Sequence, residues 1–323
     1  MKRRAFLVFG ITAGWSLAAS AQRTPARLGF LGTGAADTSG IFVEALRDGL
    51  RDNGLQEGRD YILDFGWAEG DYQRFPQFAD RMVRSKADVI LATTITAVRA
   101  AQRATTSIPI VMTSINDPVG NGVVKSLARP DGNTTGLASL AEDVSTKLVE
   151  LLQATIPNVA SIGIVLNPAN PSNPSMLKRI EALIGPRTVR LRPIEIRLRN
   201  ELDNAFAALR GERLDALLVL PDFMLIDARE AVIAHSLRLR MPAITNVPEY
   251  TDAGALVSYG ASRRFNYRRS AYYVKRILDG VKPADLPIEQ PAQIELSVNL
   301  KTANKLGISI PKAMLTRADR VID

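Results

Sequence analysis

The chain has 323 residues, of which 46% are hydrophobic and 23% are charged, a balance typical of a globular protein with two domains. It has no cysteine, which excludes disulfides, thiolate metal sites and cysteine nucleophiles. There is a single histidine, His235, which disfavours a multi-histidine metal site or a His-dependent triad. The 41 Lys and Arg residues outnumber the 33 Asp and Glu residues, which suggests nucleic acid or an anionic membrane as a partner.

Residues 1–21 have the pattern of a secretory signal peptide. Lys2, Arg3 and Arg4 precede an apolar run, which ends in the small-residue cleavage pattern Ala19-Ser20-Ala21. The adjacent arginines also fit a twin-arginine signal, so export by the Tat route and by the Sec route both stay open. Removal of the three cations, with no acid, lowers the formal charge from +8 to +5. We therefore predict a periplasmic protein, and we expect no lipid anchor because no cysteine follows the apolar run.

The mature chain begins with alternating strand and helix patterns. Short apolar or alternating runs predict strands, and apolar residues at i, i+3, i+4 and i+7 predict helices with one buried face. The first run predicts strands at 27–31, 61–67, 87–92 and 108–112, and helices at 39–53, 75–83, 97–105 and 123–127.

The same alternation then restarts and ends in a shorter tail. The second run predicts helices at 146–155, 177–183, 202–209 and 227–239, and strands at 161–166, 189–196, 216–220 and 242–245. The tail predicts a strand at 255–259, a helix at 268–278, an extended stretch at 283–291 and a strand at 293–298. Near-continuous apolar strands between amphipathic helices indicate parallel sheets that are covered on both faces.

These patterns predict an α/β protein of two Rossmann-like lobes joined by a multi-strand hinge. We assign 27–138 and 255–280 to lobe 1, and 139–254 and 281–323 to lobe 2, so the chain crosses between the lobes more than once. Two such sheets that face each other place the carboxyl ends of their strands around one cleft, where small ligands bind.

Polar groups follow successive strands in both predicted lobes, which favours a small polar ligand in that cleft. The candidate ligand-binding residues are Thr33, Gly34, Thr93, Thr94, Asn116, Asp117, Asn167, Asp222, Phe223, Asn246 and Tyr259. Each also fits a turn or a cap: Thr94 can cap a helix whose free N–H groups suit a carboxylate, and Asp117 before Pro118 fits an Asx-turn or an acceptor for an ammonium group.

Other patterns argue against a catalytic site in the cleft. The loop from Gly32 to Asp37 resembles a dinucleotide fingerprint, but Asp37 replaces the third glycine, so we expect no nucleotide cofactor. We find no pattern for catalytic residues or a metal site, and we expect His235 to pack on a helix surface or cap. The basic residues of 263–276 predict a solvated helix face or a docking face for a partner, since an exported protein does not meet nucleic acid.

Several segments stand in an order shared with one protein family. They are Trp67-Ala68-Glu69-Gly70, Ile108-Pro109-Ile110-Val111, Asn116-Asp117-Pro118-Val119-Gly120, the stretch from Ser126 to Gly136 with Leu127-Ala128-Arg129-Pro130, Val257-Ser258-Tyr259-Gly260, Lys282-Pro283-Ala284-Asp285-Leu286-Pro287 and Asn299-Leu300-Lys301-Thr302-Ala303. Over nearly the whole mature chain, the sequence resembles the solute-binding proteins of ABC transporters in the tryptophan/tyrosine-type group. Asp131 departs from the pattern, since glycine stands there more often.

This resemblance implies a type I periplasmic binding protein of the leucine/isoleucine/valine-binding kind, which is not an enzyme and needs no cofactor. Such a monomer would capture a small polar solute, for example an aromatic or other amino acid, and deliver it to an ABC permease in the inner membrane. For an amino acid, Thr94 would hold the carboxylate, Asp117 or Asp222 the ammonium group, and Phe223 or Tyr259 the side chain. The alternatives are an exported α/β enzyme, a regulator of the sugar-repressor kind, or a receptor that feeds a sensor kinase or chemoreceptor.

Overall fold

A computed structural model describes residues 24–35, 39–139, 141–184, 189–290 and 294–323 of the chain. The predicted signal peptide, residues 1–21, and Asp37 of the glycine-containing loop lie outside the described residues.

The first lobe is built on a parallel sheet of five strands. They are β1 (Ala26–Gly32), β2 (Tyr61–Trp67), β3 (Val89–Ala92), β4 (Ile110–Asn116) and β5 (Thr134–Ser139), in the spatial order β2-β1-β3-β4-β5. The helices between them are α1 (Gly40–Asp52), α2 (Phe75–Arg84) and α3 (Ile95–Ala104). The β3 strand is buried along its whole length, as the apolar run predicted, because helices cover both faces of the sheet.

The second lobe is built on a sheet of seven strands. They are β6 (Ser161–Leu166), β7 (Arg190–Glu195), β8 (Ala216–Val219), β9 (Ala243–Thr245), β10 (Val257–Gly260), β11 (Glu295–Asn299) and β12 (Arg320–Ile322), in the order β12-β11-β10-β9-β8-β6-β7. Only the pairing of β10 with β11 is antiparallel among these described strands. The helices of this lobe are α4 (Ala141–Thr155), α5 (Ser172–Ile184), α6 (Leu202–Ala207), α7 (Phe223–Asp227), α8 (Arg229–Arg238), α9 (Glu249–Asp252), α11 (Leu300–Leu306) and α12 (Lys312–Arg317).

Helix α10 (Arg263–Leu278) leaves the second sheet and packs against α1 of the first lobe. The two helices approach closely at Gly49, where a Cβ atom would overlap the carbonyl oxygen of Arg268. After α10, the backbone N–H of Glu289 donates to the carbonyl of Gly136 beside β5. The chain therefore returns to the first lobe between β10 and β11.

The tail divides between the lobes differently from the predicted boundaries. The prediction placed 255–280 in lobe 1 as one piece, but β10 pairs with β9 and β11 in the second sheet and only α10 joins the first lobe. The prediction placed 281–323 in lobe 2, but Glu289 bridges to Leu137 in the first lobe. Strand pairing within a sheet therefore decides these boundaries, which composition does not reveal.

Two local predictions for the first lobe are wrong. The predicted helix at 123–127 is a set of turns, because the backbone N–H groups of Val123 and Val124 both donate to the carbonyl of Pro118. The prediction also missed β5, whose Thr134-Thr135-Gly136 start lacks an apolar run. In the described part of the chain, no helix has the length and apolar character to cross a membrane.

Candidate functional site

A polar cavity of two adjoining chambers lies between the lobes. The first chamber is lined from the first lobe by Thr93, Thr94, Ile95, Ser114, Ile115, Asn116, Ser139 and Arg263, and from the second by Asn170, Ser172, Pro221 and Phe223. The second chamber shares Ser114, Ser139 and Arg263 and adds Val144, Asn246, Val247, Ala261 and Ile294. Both lobes therefore contribute to the site. This is expected for two facing parallel sheets, because ligands bind at the carboxyl ends of their strands.

The lobes are closed on this cavity. The chambers enclose about 30 and about 20 Å³, each close to the share of volume that one water molecule occupies in the liquid. A solute as large as an amino acid enters such a site only when the lobes separate, which is the hinge motion of two-lobed receptors.

The start of α3 supplies donors to the first chamber. Thr94 is the N-cap residue, and its hydroxyl oxygen accepts a hydrogen bond from the backbone N–H of Ala97 at 3.1 Å. The Thr94 hydroxyl hydrogen remains free to be donated, since the cap uses only the oxygen. The neighbouring Thr93 hydroxyl instead donates to the carbonyl of Leu31 at 2.9 Å and ties the loop to β1.

Arg263 brings a buried positive charge to both chambers. Its side chain belongs to a residue only 7% exposed, and its guanidinium carbon lies 4.3 Å from the centre of the Phe223 ring. Its Nε and Nη1 atoms have no hydrogen-bond partner among the described residues. Burial lowers the pKa of Arg263, because desolvation disfavours the charged form. An unpaired buried cation that faces a cavity is a strong candidate for a ligand contact.

Asp222 lies behind the cavity wall and joins the two lobes. The Tyr72 hydroxyl of the first lobe donates to Asp222 Oδ2 at 2.6 Å. Within the second lobe, the carboxylate accepts from the Nδ2 atoms of Asn167 and Asn170 at 3.3 and 3.1 Å and from the backbone N–H of Leu225 at 3.2 Å. We call the Tyr72–Asp222 hydrogen bond the interlobe latch.

The electrostatics of the latch reflect its burial. Asp222 is fully buried, and desolvation raises its pKa against the opposing effect of its hydrogen-bond donors. Desolvation and the nearby Asp222 charge likewise raise the pKa of Tyr72 well above its ordinary value. Both groups are therefore shielded from water in the closed protein, and separation of the lobes would expose them to water.

A second carboxylate contact joins the lobes at the edge of the cleft. The Ser39 hydroxyl of the first lobe donates to Asp227 Oδ2 at 3.1 Å. Gly34 lies against the same carboxylate, where a Cβ atom would overlap it. Burial raises the pKa of Asp227 to about 7, because desolvation outweighs the Ser39 hydrogen bond and the nearby positive charge of Arg229.

The structure brings five of the predicted site residues to the cavity. Thr93, Thr94, Asn116 and Phe223 line the first chamber, and Asn246 lines the second. The Asn246 amide oxygen is buried without a hydrogen-bond partner among the described residues.

The predicted residues of the lobe contacts lie outside the chamber linings. Asn167 and Asp222 form the network behind the wall, and Gly34 packs on Asp227. The backbone carbonyl of Thr33 accepts from the N–H of Gly70, within the first lobe.

Asp117 and Tyr259 are also placed away from the chambers. Asp117 Oδ1 accepts from the backbone N–H of Gly120, three residues on, at 2.8 Å, so its carboxylate stabilises a local turn. Tyr259 pairs with Leu296 of β11 and packs against the core of the second lobe.

Sequence reasoning missed five polar residues of the cavity. They are Ser114, Ser139, Asn170, Ser172 and Arg263. The sequence predicts a solvated helix face or a docking face for Arg263, and a helix that begins at 268. Ser262, which caps α10 two residues after the end of β10, is the signal that the helix begins five residues earlier, close to a strand end.

The histidine lies away from the cavity. His235 Nε2 lies 2.9 Å from Asp203 Oδ1, and its ring stacks on Phe206 at 4.8 Å between ring centres. These contacts are within the second lobe and fit the predicted packing role on a helix.

Comparisons with known proteins give the chain relatives over most of its length. The family model described as ABC transporter substrate binding protein matches residues 36–322. A tyrosine-binding protein of Clostridioides difficile is 27% identical over 269 residues, which are 83% of this chain and 75% of that protein.

Solved structures share the fold. A conserved domain protein from Vibrio cholerae is 29% identical and superposes with a TM-score of 0.82, over 92% of this chain and all of that one. An ABC domain from Streptococcus pneumoniae in complex with L-Trp is 24% identical with a TM-score of 0.81, over 93% of this chain and all of that one. The two α/β lobes therefore have the type I periplasmic binding protein fold, as predicted.

Proposed function

This chain belongs to the family of ABC transporter substrate-binding proteins, and we propose that its interlobe cavity captures a small solute of the amino-acid kind for import. The family consists of binding proteins rather than enzymes. The single observation that carries the proposal is a polar cavity whose lining comes from both lobes, so that closure can enclose a solute.

The ligands of two similar proteins support the solute class. The Clostridioides difficile relative is a tyrosine-binding protein, and the Streptococcus pneumoniae structure holds L-Trp. In this chain, Phe223 gives the cavity an aromatic surface, while Thr94 and the serines offer hydroxyl groups. Such a mixture suits a small molecule with one apolar part and one polar part.

We further propose that the protein works in the periplasm and passes its solute to an inner-membrane permease. The predicted signal peptide at 1–21 supports export, and the family supports the permease as partner. The lobes would separate to take up the solute and close over it, and the closed form would dock on the permease as a monomer.

A thermal-shift screen of the purified protein against the twenty amino acids and small aromatic carboxylates tests the solute class. At a ligand concentration of about 100 Kd, binding adds about 2.7 kcal/mol to the free energy of unfolding, which raises the melting temperature by several degrees. Small-angle scattering with the same compounds should show a more compact protein. Absence of any thermal shift across the whole panel would refute the solute class.

An uptake assay tests the transport role separately. Cells that lack this chain should lose high-affinity uptake of the solute found in the screen, and re-expression should restore the uptake. A solute that binds tightly but whose uptake is unchanged by the deletion would refute the importer role and leave the binding role standing.

A further inference from the structure

We infer that the interlobe cavity is an anion site built on Arg263, which selects its solute by a carboxylate group and does not require an ammonium group. This inference rests on the proposed function, because it assigns the chemical class of the solute that the lobes enclose.

The buried guanidinium of Arg263 has N–H donors without partners. Arg263 is 7% exposed, yet its Nε and Nη1 atoms have no partner, and it forms no ion pair within the described ranges of the chain. Burial of an unpaired cation is costly. A carboxylate or phosphate would offset that cost, because it can accept two parallel hydrogen bonds from one guanidinium. The Phe223 ring covers the guanidinium at 4.3 Å. Such stacking on a ring face leaves the N–H donors free, since they lie in the plane of the guanidinium.

The nearby carboxylates have hydrogen-bond partners other than Arg263. Glu249 and Asp222 attract Arg263 electrostatically, but neither forms an ion pair with it in the described part of the chain. Glu249 Oε1 accepts from the Ser262 hydroxyl and from the backbone N–H of Arg264, at the start of α10. Asp222 already accepts hydrogen bonds from four donors. Glu249 Oε2 has no hydrogen-bond partner among the described residues, but Glu249 lines neither chamber, whereas Arg263 lines both.

The described residues give the cavity a positive charge. Arg263 lines both chambers, and neither lining includes an Asp or Glu among the residues that the structure describes. The N-terminal end of α3 adds a partial positive charge at Thr94, and α3 is ten residues long. Ser172 adds a buried hydroxyl that has no hydrogen-bond partner in the described chain. All three groups favour a carboxylate, whereas no described residue of the two linings offers a full negative charge to an ammonium group.

Three probes with the same ring separate the two charged groups of an amino acid. L-Tyrosine carries both groups, 3-(4-hydroxyphenyl)propionate lacks the ammonium group, and tyramine lacks the carboxylate. In isothermal titration calorimetry, we expect the first two to bind within about fivefold of each other and tyramine to bind at least 100-fold more weakly, because loss of one partner from a buried charge pair is costly. Tyramine binding as tightly as tyrosine, or a 100-fold loss for the propionate, would overturn the inference.

Two variants of adjacent arginines provide a matched comparison. Arg263→Met keeps the length of the side chain but removes its charge, and we expect it to weaken both carboxylates at least 100-fold. Arg264→Met changes an exposed arginine outside both chambers, and we expect its affinities to stay within about twofold of the wild type. Equal affinities for the wild type and Arg263→Met would overturn the inference.

The stability of the ligand-free protein distinguishes an anion site from a structural arginine. Because Arg263→Met removes an unpaired buried charge, its melting temperature should equal or exceed that of the wild type. Should this variant fold poorly, Arg263→Lys keeps the charge and should still weaken the carboxylates about 5- to 50-fold, since a lysine cannot form the paired contact. A well-folded Arg263→Lys variant with unchanged affinity would refute the anion site.

A failure of the proposed solute class has a separate signature. If no amino acid stabilises the wild type, acetate, benzoate and 3,4-dihydroxybenzoate at millimolar concentration still test the anion site. Stabilisation by these carboxylates that is lost in Arg263→Met would support the anion site without the amino-acid function. Absence of any such stabilisation would overturn both.

Discussion

Closure of the lobes should depend on pH through Asp227, and Asp227→Asn is the perturbation that shows it. In the closed protein, the carboxylate lies against Gly34 and accepts the Ser39 hydrogen bond from the opposite lobe. Desolvation there raises its pKa from the ordinary value of 3.8 to about 7. Separation of the lobes removes this cover, so we expect the open form to titrate near the ordinary value.

The size of the effect follows from the two pKa values. At 1.36 kcal/mol per pKa unit, the ionised carboxylate disfavours closure by about 4 kcal/mol, and partial solvent access to the half-buried side chain reduces this to about 2–4 kcal/mol. The closed form binds the proton more tightly. Closure is therefore most favourable below about pH 4, weakens as the pH rises from about 4 to about 7, and is constant above that.

A distance measurement between the lobes reports the closed fraction. Because the chain has no cysteine, Gln77→Cys and Lys178→Cys place two fluorescent labels on exposed positions, one in each lobe. Energy transfer in the wild type should rise as the pH falls from 7 to 4, and Asp227→Asn should be more closed at pH 7, with a smaller pH dependence that comes from Asp222. Asp80→Asn, on an exposed site of α2, is the control and should titrate like the wild type. A pH profile of unchanged amplitude in Asp227→Asn would refute the assignment.

Three further substitutions test the interlobe latch, the contact of Gly34 with Asp227, and the packing of Phe206 in the second lobe. Tyr72→Phe removes the interlobe hydrogen bond to a buried carboxylate, so it should disfavour closure by about 1.5–3 kcal/mol. Energy transfer between the same labels should fall. An unchanged closed fraction would contradict a role of the interlobe latch in closure. Gly34→Ala should push the lobes apart, because its Cβ would overlap the Asp227 carboxylate, and scattering should show a larger radius of gyration; a radius equal to that of the wild type would argue against the close contact. Phe206→Ala removes a ring that is 1% exposed and should lower the free energy of unfolding, measured by urea denaturation, by about 3–5 kcal/mol. A loss below about 1 kcal/mol would show that this ring is not part of a packed core.

The fold could be predicted from the sequence where local pattern and tertiary burial agree. The β2 strand has the predicted bounds Tyr61–Trp67, and α2 buries the predicted face of Phe75, Phe78 and Met82. In contrast, β5 begins with two threonines and a glycine, and its strand state comes from pairing with β4, which the sequence does not display. The left-handed Asp131, with a φ of 64°, explains why the related pattern has glycine at that turn.

The candidate site could be predicted only in part, for a physical reason. Strand-end reasoning found Thr94 and Phe223, because the carboxyl ends of parallel strands converge whatever the side chains are. It placed Arg263 on a solvated helix face or a docking face, since arginine is rarely buried and a single sequence does not show what covers it. It also predicted that Asp222 contacts the ligand, although this carboxylate already accepts hydrogen bonds from Tyr72 and from the surrounding amides. The positions of polar groups are thus set by topology, whereas their roles depend on which partners reach them.

Capture and closure share one network through Asn170. This residue lines the first chamber, and its Nδ2 atom donates to Asp222 Oδ2 at 3.1 Å, the same oxygen that accepts from Tyr72. Its Oδ1 atom accepts from the backbone N–H of Ser172, so both ends of the amide are held. A solute that contacts Asn170 therefore meets a side chain already oriented by the latch carboxylate, and opening of the lobes removes one of the groups that hold that carboxylate in place. Solute binding and lobe closure then stabilise each other, as the linkage between two equilibria requires when one buried group serves both.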